Sequence, residues 1–125
     1  MRYHGVKHDF IAVSSEQVKS GEWEIGSYKE ILARYDHSSV SDELISIDTD
    51  VRHAFLKGFT TYWLSDPNPK EGLLLCSVTW IKNENLHEFI SSLHRLKKKR
   101  RCVKKLIYLC QYARKGGLDI LHLGI

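Results

Sequence analysis

The stretch Gly72–Ile81 (GLLLCSVTWI) is the most nearly continuous apolar run in the chain, and it decides the fold class. A run of this kind is typical of a central strand that is covered on both faces. The preceding segment Asp66–Pro69 (DPNP) contains two prolines. Proline cannot continue a helix and disfavours helical conformation in the residue before it. We therefore predict that a helix ends at Asp66 and that a buried strand occupies Gly72–Ile81.

The segment that follows this strand has helical periodicity, but its apolar face changes direction. The apolar residues of Leu86–Leu96 define one face, and those of Val103–Ala113 define another that is rotated by about 100°. A straight helix cannot turn both faces towards one core. We therefore predict a kink or break within Lys97–Arg101. The residues after Gly116 and Gly117, from Leu118 to Ile125, are predicted to form a closing strand beside Gly72–Ile81.

The segment before the strand is predicted to contain a helix over Val51–Tyr62, since its apolar residues recur on one face. Asp48 supplies the N-cap chemistry for this helix. Leu44–Asp48 is predicted as a second, weaker strand. The polar segment Asp36–Ser41 (DHSSVS) is predicted to be a break between elements.

The N-terminal third is predicted to begin with a strand at Asp9–Val13 (DFIAV), which is rich in Phe, Ile and Val. Ser14–Gly26 is predicted to be a loop or a single helical turn. Ser27 and Glu30 have the spacing of a capping box, which predicts a short helix to about Tyr35.

These elements predict an α+β domain, or a small α/β domain, in one unit over residues 1–125. We expect a small sheet of about three or four strands packed against helices. The C-terminal part is predicted to be a kinked or broken helical segment followed by the closing strand.

The composition is that of an ordinary globular protein, with 42% hydrophobic and 27% charged residues. No apolar run of about 18 residues is present, so we predict no membrane span. The first residues lack the apolar core of a secretory signal, and we expect a cytoplasmic protein. The cysteines Cys76, Cys102 and Cys110 are odd in number and widely spaced, which favours reduced and mostly buried thiols.

Charge is segregated along the chain. Lys82–Lys115 contains eleven basic and two acidic side chains, for a net charge of +9. The remaining residues carry eight basic and thirteen acidic side chains, for a net charge of −5. A concentration of cations in one segment is typical of a surface that binds nucleic acid or an acidic protein.

The second half of the long helical segment supplies the candidate binding residues. On a helical wheel its basic side chains lie opposite the apolar face, with two tyrosines among them, and further lysines lie at the predicted kink. Basic side chains neutralise phosphates, and interleaved aromatic rings can stack on bases. The candidate polyanion-binding residues are Lys97, Lys98, Arg101, Lys104, Lys105, Tyr108, Tyr112 and Lys115. The alternative is a solvated helix face that faces the protein's own acidic surface or the acidic patch of a second copy.

An aromatic cluster offers a second kind of site. Phe55, Phe59, Trp63 and Trp80 are candidates to line an apolar ligand pocket. Aromatic residues at helical spacing are also typical of an ordinary core.

Patterns that carry catalysis or metal binding are missing. The chain has no P-loop, no G-x-G-x-x-G, no G-x-S-x-G and no H-E-x-x-H sequence. His87 and His94 are two helical turns apart, too far to share one metal ion. Asp48 and Asp50 are better explained as helix caps than as metal ligands. We expect no catalytic site, metal or cofactor, and favour a protein that is not an enzyme.

Three hypotheses on function follow. The leading one is a small binding or regulatory domain that contacts nucleic acid or an acidic partner through its basic helical segment. The second is a small-molecule-binding domain or minor enzyme with an aromatic-lined pocket. The third is a self-associating protein whose acidic part docks on the basic helix of a second copy.

Overall fold

The computed structural model describes residues 6–124. Within that range six strands form one antiparallel sheet in the order β2-β1-β6-β5-β3-β4. The strands are β1 (Lys7–Val13), β2 (His37–Ser41), β3 (Thr60–Trp63), β4 (Asp66–Glu71), β5 (Val78–Ile81) and β6 (Asp119–Leu123). The sheet therefore ends in β2 at one edge and in β4 at the other.

Six α-helices accompany the sheet in the same range. They are α1 (Ser15–Ser20), α2 (Tyr28–Arg34), α3 (Asp42–Ile47), α4 (Thr49–Leu56), α5 (Leu86–His94) and α6 (Arg101–Lys115). Side-chain caps start the first four helices, with capping boxes at Ser14 and Ser27 and single caps at Ser41 and Asp48. These caps satisfy backbone N–H groups that have no partner inside the helix.

The two faces of the sheet bury different amounts of apolar surface. On one face Phe10, Ile81 and Ile120 pack against α3 to α6 and form the larger core. On the other face Ile11 and Leu121 pack against α1, α2 and the short turn between them that carries Trp23. Because successive side chains of a strand point to opposite faces, β1, β5 and β6 contribute to both cores.

The predicted α+β class is confirmed, but the sheet has six strands where three or four were predicted. The additional strands include the two polar edges, β2 and β4. An edge strand shares its hydrogen bonds with only one neighbour and exposes most of its side chains, so it lacks the apolar pattern that marks a central strand.

Two predictions for the region after α2 are wrong. The segment Asp36–Ser41, predicted as a break, contains β2, and the predicted strand Leu44–Asp48 lies mostly in α3. Ser41 caps α3 by accepting a hydrogen bond from the Leu44 N–H. This local cap decides the conformation of a stretch too short for its apolar periodicity to be informative.

Two element boundaries around Asp66 were also predicted wrongly. The helix predicted for Val51–Tyr62 ends at Leu56 and is followed by β3, and the proline-containing segment after it is the edge strand β4. The strand predicted for Gly72–Ile81 is limited to β5 at its C-terminal end. Gly72 has a φ of 71°, and a Cβ there would lie 2.1 Å from the Leu56 carbonyl oxygen, so the chain bends at this position instead of extending.

Other predictions are confirmed. β1 and α2 form where expected, and a helix break separates α5 from α6, with the loop 95–100 between them. The closing strand β6 lies between β5 and β1; the final residue of its predicted range, Ile125, is outside the described residues. In the part of the chain that the structure describes, none of the helices has both the length and the apolar character needed to cross a membrane.

Candidate functional site

The helix α6 separates its apolar and basic side chains onto opposite faces. Val103, Leu106 and Cys110 are completely buried in the larger core. The opposite side exposes a row of cationic and tyrosine side chains, of which Tyr108 is 74% exposed. An amphipathic helix of this kind is held by its apolar stripe, which leaves the other face available for a partner.

A groove runs between this exposed face of α6 and the edge strand β2. Its volume is about 1080 Å³. We call it the basic groove. It is lined by residues of β2 and α6 and by the residue just before β2: Asp36, His37, Ser38, Ser39, Arg101, Cys102, Lys104, Lys105, Tyr108, Leu109 and Tyr112.

The cations of the basic groove are not neutralised by the protein's own acids. Within residues 6–124, Arg100 is the one cation of the segment 97–115 that forms an ion pair, and its Nη2 lies 3.8 Å from Asp48 Oδ2. Arg101, Lys104 and Lys105 occupy the first turns of α6, where the helix dipole is already positive and the first turn contains no acid. Cations at this end of a helix do not stabilise it. Helix stability therefore does not explain their position.

The opposite end of the basic groove carries a different charge. Asp36 lies beside the Tyr112 hydroxyl and, through a hydrogen bond and its negative charge, raises the pKa of that phenol. The groove therefore has a cationic end near Arg101 and an acidic residue at the other end.

Ser38 contributes a buried polar atom that has no partner. Its side chain is on the α6 side of β2, because Ser38 pairs with Phe10, whose ring lies in the larger core. The residue is only 9% exposed, and its Oγ forms no hydrogen bond within the described residues. Buried hydroxyl groups nearly always have a hydrogen-bond partner in folded proteins. Ser38 therefore places a polar group beside the basic groove that no described residue satisfies.

The backbone of β2 also faces the basic groove. The Ala12 N–H donates to the Asp36 carbonyl at 2.9 Å and the Asp42 N–H donates to the Val6 carbonyl at 3.1 Å, which places even-numbered residues towards β1. The N–H and C=O groups of His37 and Ser39 consequently point away from β1. In the described part of the chain no other strand pairs with that side of β2.

The structure brings five of the eight predicted polyanion-binding residues together in the basic groove: Arg101, Lys104, Lys105, Tyr108 and Tyr112. Lys98 is exposed in the loop before α6, and Lys115 is exposed at its C-terminal end. Lys97 instead lines a separate cavity of about 390 Å³ with Lys57 and Arg95. Those two residues follow α4 and α5 directly, where a cation complements the negative end of the helix.

The contribution of the β2 residues to the basic groove was not predicted from the sequence. The segment from Asp36 to Ser39 is polar and lies more than 60 residues before α6 in the chain. One signal was available: β2 contains neither proline nor lysine, the residues with which exposed edge strands are commonly protected.

The four residues of the predicted aromatic pocket do not surround one cavity. Phe55 and Phe59 pack in the larger core, where the Phe59 ring centroid lies 4.4 Å from that of Phe89. Trp80 packs on the other face of the sheet, and its Nε1 donates to Asp119 Oδ2 at 2.8 Å. Trp63 is exposed beside Lys70.

A buried polar chain lies at one end of the larger core. His8 Nδ1 lies 2.8 Å from His122 Nε2, and His8 Nε2 lies 2.9 Å from Asp42 Oδ1. His122 Nδ1 lies 3.3 Å from Thr79 Oγ1. Burial and the adjacent His8 lower the pKa of His122 to about 3. One assignment keeps both rings neutral: Thr79 donates to His122, His122 donates to His8, and His8 donates to Asp42.

This polar chain joins strands that are far apart in sequence. It connects β5, β6 and β1 to the start of α3, directly after β2. Among residues 6–124, no three His, Cys, Asp or Glu side chains are arranged to hold a metal ion. Because each of these side chains is hydrogen-bonded to the next, we interpret the chain of hydrogen bonds as a structural link between the strands.

The cysteines differ from one another. Cys110 is buried in α6, and burial raises the pKa of its thiol. Cys102 is partly exposed at the basic groove. Cys76 is exposed, which corrects the prediction that it lies within a buried strand, because the chain bends at Gly72 and β5 begins only at Val78.

The basic groove, with its cations, its exposed tyrosines and the edge of β2, is the basis for a hypothesis on function. Comparison with known proteins adds nothing to this geometry: no family model matches the chain, and no curated protein or solved structure is significantly similar to it.

Proposed function

We propose that this chain is a binding domain that holds an extended anionic chain in the basic groove between α6 and β2. The observation that carries the proposal is the row of cations formed by Arg101, Lys104 and Lys105, which face the groove without a carboxylate partner among residues 6–124. Like charges on adjacent helical turns repel one another, and the repulsion is relieved when a ligand brings negative charge.

The dimensions of the groove suit an extended ligand. From Arg101 to Tyr112 the helix rises about 16 Å. The five residues of β2 span about the same distance. The three cations lie within about one turn at the start of α6. An extended ligand can therefore place negative charge at this end and lay the rest of its length along the groove.

The groove also has apolar and aromatic surface between its charges. Leu109 and Cys102 form part of its floor, and Tyr108 and Tyr112 stand at its rim. Rigid aromatic side chains supply contact area at low cost in conformational entropy. The ligand therefore has apolar parts as well as charges.

The binding test uses two fluorescent probes of different chemistry, an oligothymidylate and an acidic peptide, in anisotropy titrations at about 50 mM salt. We expect at least one probe to bind. For the oligonucleotide, the log–log dependence of affinity on salt should have a slope of about −2 if the three groove cations engage, at about 0.7 per phosphate on a single strand.

The matched control compares equal charge changes on opposite faces of the sheet. The double variant Arg101→Glu/Lys105→Glu should lose binding, whereas Lys19→Glu/Lys29→Glu should retain it. Lys19 and Lys29 are exposed on α1 and α2, away from the basic groove. Failure of both probes to bind, or equal loss in both double variants, would contradict the proposal.

Self-association is the competing outcome of the same variants. If the basic groove of one copy binds the acidic part of another, sedimentation should show a dimer that the Arg101→Glu/Lys105→Glu variant converts to monomer. That result without binding of either probe would replace the proposed function by self-association.

A further inference from the structure

The exposed edge of β2 indicates how an anionic chain is held. We propose that the ligand of the basic groove is an acidic polypeptide segment that adds to the sheet as a seventh strand beside β2. This inference rests on the proposed function and names the class of partner and its mode of binding.

The free side of β2 presents both backbone donors and backbone acceptors. The N–H and C=O groups of His37 and Ser39 point away from β1 and have no backbone partner within residues 6–124. A polypeptide strand satisfies both the donors and the acceptors of such an edge. A phosphate backbone carries only acceptors, so it leaves the outward carbonyl groups without a donor and opposes them with negative charge.

β2 carries none of the residues that commonly protect an edge strand from pairing. The sequence of β2, HSSVS, has no proline and no charged side chain on the strand itself. His37 and Ser41 are exposed, and Ser39 is partly exposed. An added strand therefore meets no side chain that evolution commonly uses to prevent pairing.

The α6 side of the groove is complementary in charge to an acidic strand. Alternate side chains of a strand point to one face. Acidic residues at alternate positions would meet Arg101, Lys104 and Lys105, and a hydroxyl or amide among them would pair with the Oγ of Ser38. Asp36 at the far end disfavours an acid there. The favoured segment is therefore acidic at one end and uncharged at the other.

A second copy of this chain fits the edge less well. Antiparallel pairing of β2 with its own copy forms a continuous sheet in which the two α6 helices lie on the same face. Their cationic rows would then face one another across the junction, and like charges repel. The edge thus favours an acidic partner over itself.

The decisive experiment uses synthetic peptides with the unchanged protein. The probe is a capped peptide of about seven residues, long enough to cover β2, in which threonine alternates with glutamate in one half and with glutamine in the other. It is made in both sequence directions, so that the uncharged half can lie beside Asp36 whichever way the peptide runs. Two derivatives carry N-methyl groups, one on every threonine nitrogen and the other on every glutamate and glutamine nitrogen. Because the N–H groups of a strand point alternately to its two sides, one derivative should lose binding by about tenfold or more and the other should retain it.

Protein variants provide the reciprocal test. His37→Pro removes an outward N–H without removing a bond to β1, and His37→Ala is its matched control, which keeps the N–H. We expect the proline variant to bind the unmodified peptide at least about tenfold more weakly than the alanine variant. In the unchanged protein, peptide binding should slow hydrogen exchange at the amides of His37 and Ser39.

The outcomes separate this inference from the proposed function. If the peptide binds but neither N-methylation set weakens it and the His37 variants bind alike, strand addition is wrong while anion binding by the basic groove stands. If only the oligonucleotide binds, the partner class is wrong and the groove binds nucleic acid. If protection of the His37 and Ser39 amides rises with protein concentration alone, a second copy occupies the edge. If no probe binds, both proposals fail.

Discussion

The two edges of the sheet are chemically opposite. β4, with the sequence DPNPKE, carries Pro67 and Pro69, which have no N–H to offer another strand. Its Lys70 Nζ is paired with Asp66 Oδ2 at 2.8 Å and lies 4.4 Å from the ring centroid of Trp63. β2 has neither proline nor lysine and lies beside unpaired cations of α6. One edge is closed by its own sequence, and the other is left able to pair.

The backbone geometry of β4 explains why its prolines close the edge. The Gly72 N–H donates to the Phe59 carbonyl at 3.0 Å, and the register pairs Thr61 with Lys70. Lys70 therefore faces β3, and Pro69 faces outwards, where it removes a donor from the free edge. This difference between the two edges is the basis of the proposed strand addition.

The largest effect is expected in the core beneath the closed edge. Phe59 directly precedes β3 and packs against Phe89, so Phe59→Ala should reduce the free energy of unfolding by about 3–5 kcal/mol. Tyr108→Ala, on the exposed face of α6, should change it by about 0.5 kcal/mol or less. Chemical denaturation measures both. A loss below about 1 kcal/mol for Phe59→Ala would show that this edge is not anchored by the aromatic core.

A smaller effect is expected where the open edge is anchored by polar contacts. The buried Asp9 carboxylate accepts hydrogen bonds from the Tyr28 hydroxyl and the Ser39 hydroxyl, which tie α2 and β2 to β1. Burial and the neighbouring Asp9 raise the pKa of the Tyr28 phenol, which remains a donor. Tyr28→Phe should cost about 1–3 kcal/mol, because a buried carboxylate loses a donor.

Tyr112→Phe is the matched control for this change, since Tyr112 is half-exposed and water can replace its hydroxyl beside Asp36. It should alter the free energy of unfolding by no more than about 0.5 kcal/mol. Equal effects of the two tyrosine variants would mean that Asp9 is not the anchor of the open edge.

The open edge should also respond to pH through the buried histidine pair. His122, which faces His8, Thr79 and Phe10, has its pKa lowered to about 3, so it stays neutral in the fold when the unfolded chain takes up a proton. The unfolded state then binds more protons, and stability falls as pH drops below about 6.5, by up to about 1.4 kcal/mol per pH unit. This contribution is fully present above that pH.

Denaturation between about pH 6.5 and 5, above the range where most carboxylates titrate, measures this slope. His122→Gln should have a slope shallower than the unchanged protein, because glutamine does not titrate. Identical slopes would show that His122 is not held neutral, and that the polar chain at the end of β2 contributes no pH dependence.

The smallest effect tests which way the prolines of β4 face. Pro69→Ala should cost only about 0.4–1 kcal/mol, the usual effect of loosening the unfolded chain, since an outward residue makes no ladder bond. Lys70→Pro should cost about 3 kcal/mol or more, because it removes an N–H that faces β3. If the two substitutions reduce the free energy of unfolding equally, the backbone groups of β4 do not alternate between facing β3 and facing outwards.

Much of the fold was predictable where local interactions decide it. The capping box at Ser27 and Glu30 predicts α2, and the rotation of the apolar face predicts the break before Arg101. Both features depend on residues within a few turns of one another. The failures included the conformations of Leu44–Asp48 and Asp36–Ser41, short stretches in which a cap or a distant strand decides between helix and extended chain.

The candidate site was predictable in part for the same reason. The basic and aromatic face of α6 follows from helical periodicity alone, which is why five of the eight predicted residues lie in the basic groove. Lys97 lies elsewhere because the break before α6 turns it towards α4. Phe55 and Trp80 lie on different faces of the sheet, which spacing along the chain does not reveal.

By itself the sequence determined the segregation of charge and the amphipathic character of α6, since each depends on residues close together in the chain. Only the tertiary structure decided that β2 is the other edge, that Ser38 is buried beside α6 without a partner, and that His8 meets His122 across 114 positions. These features arise from strand pairing between distant segments. The free energy of such pairing depends on which surfaces the whole chain buries together, and no local pattern encodes that choice.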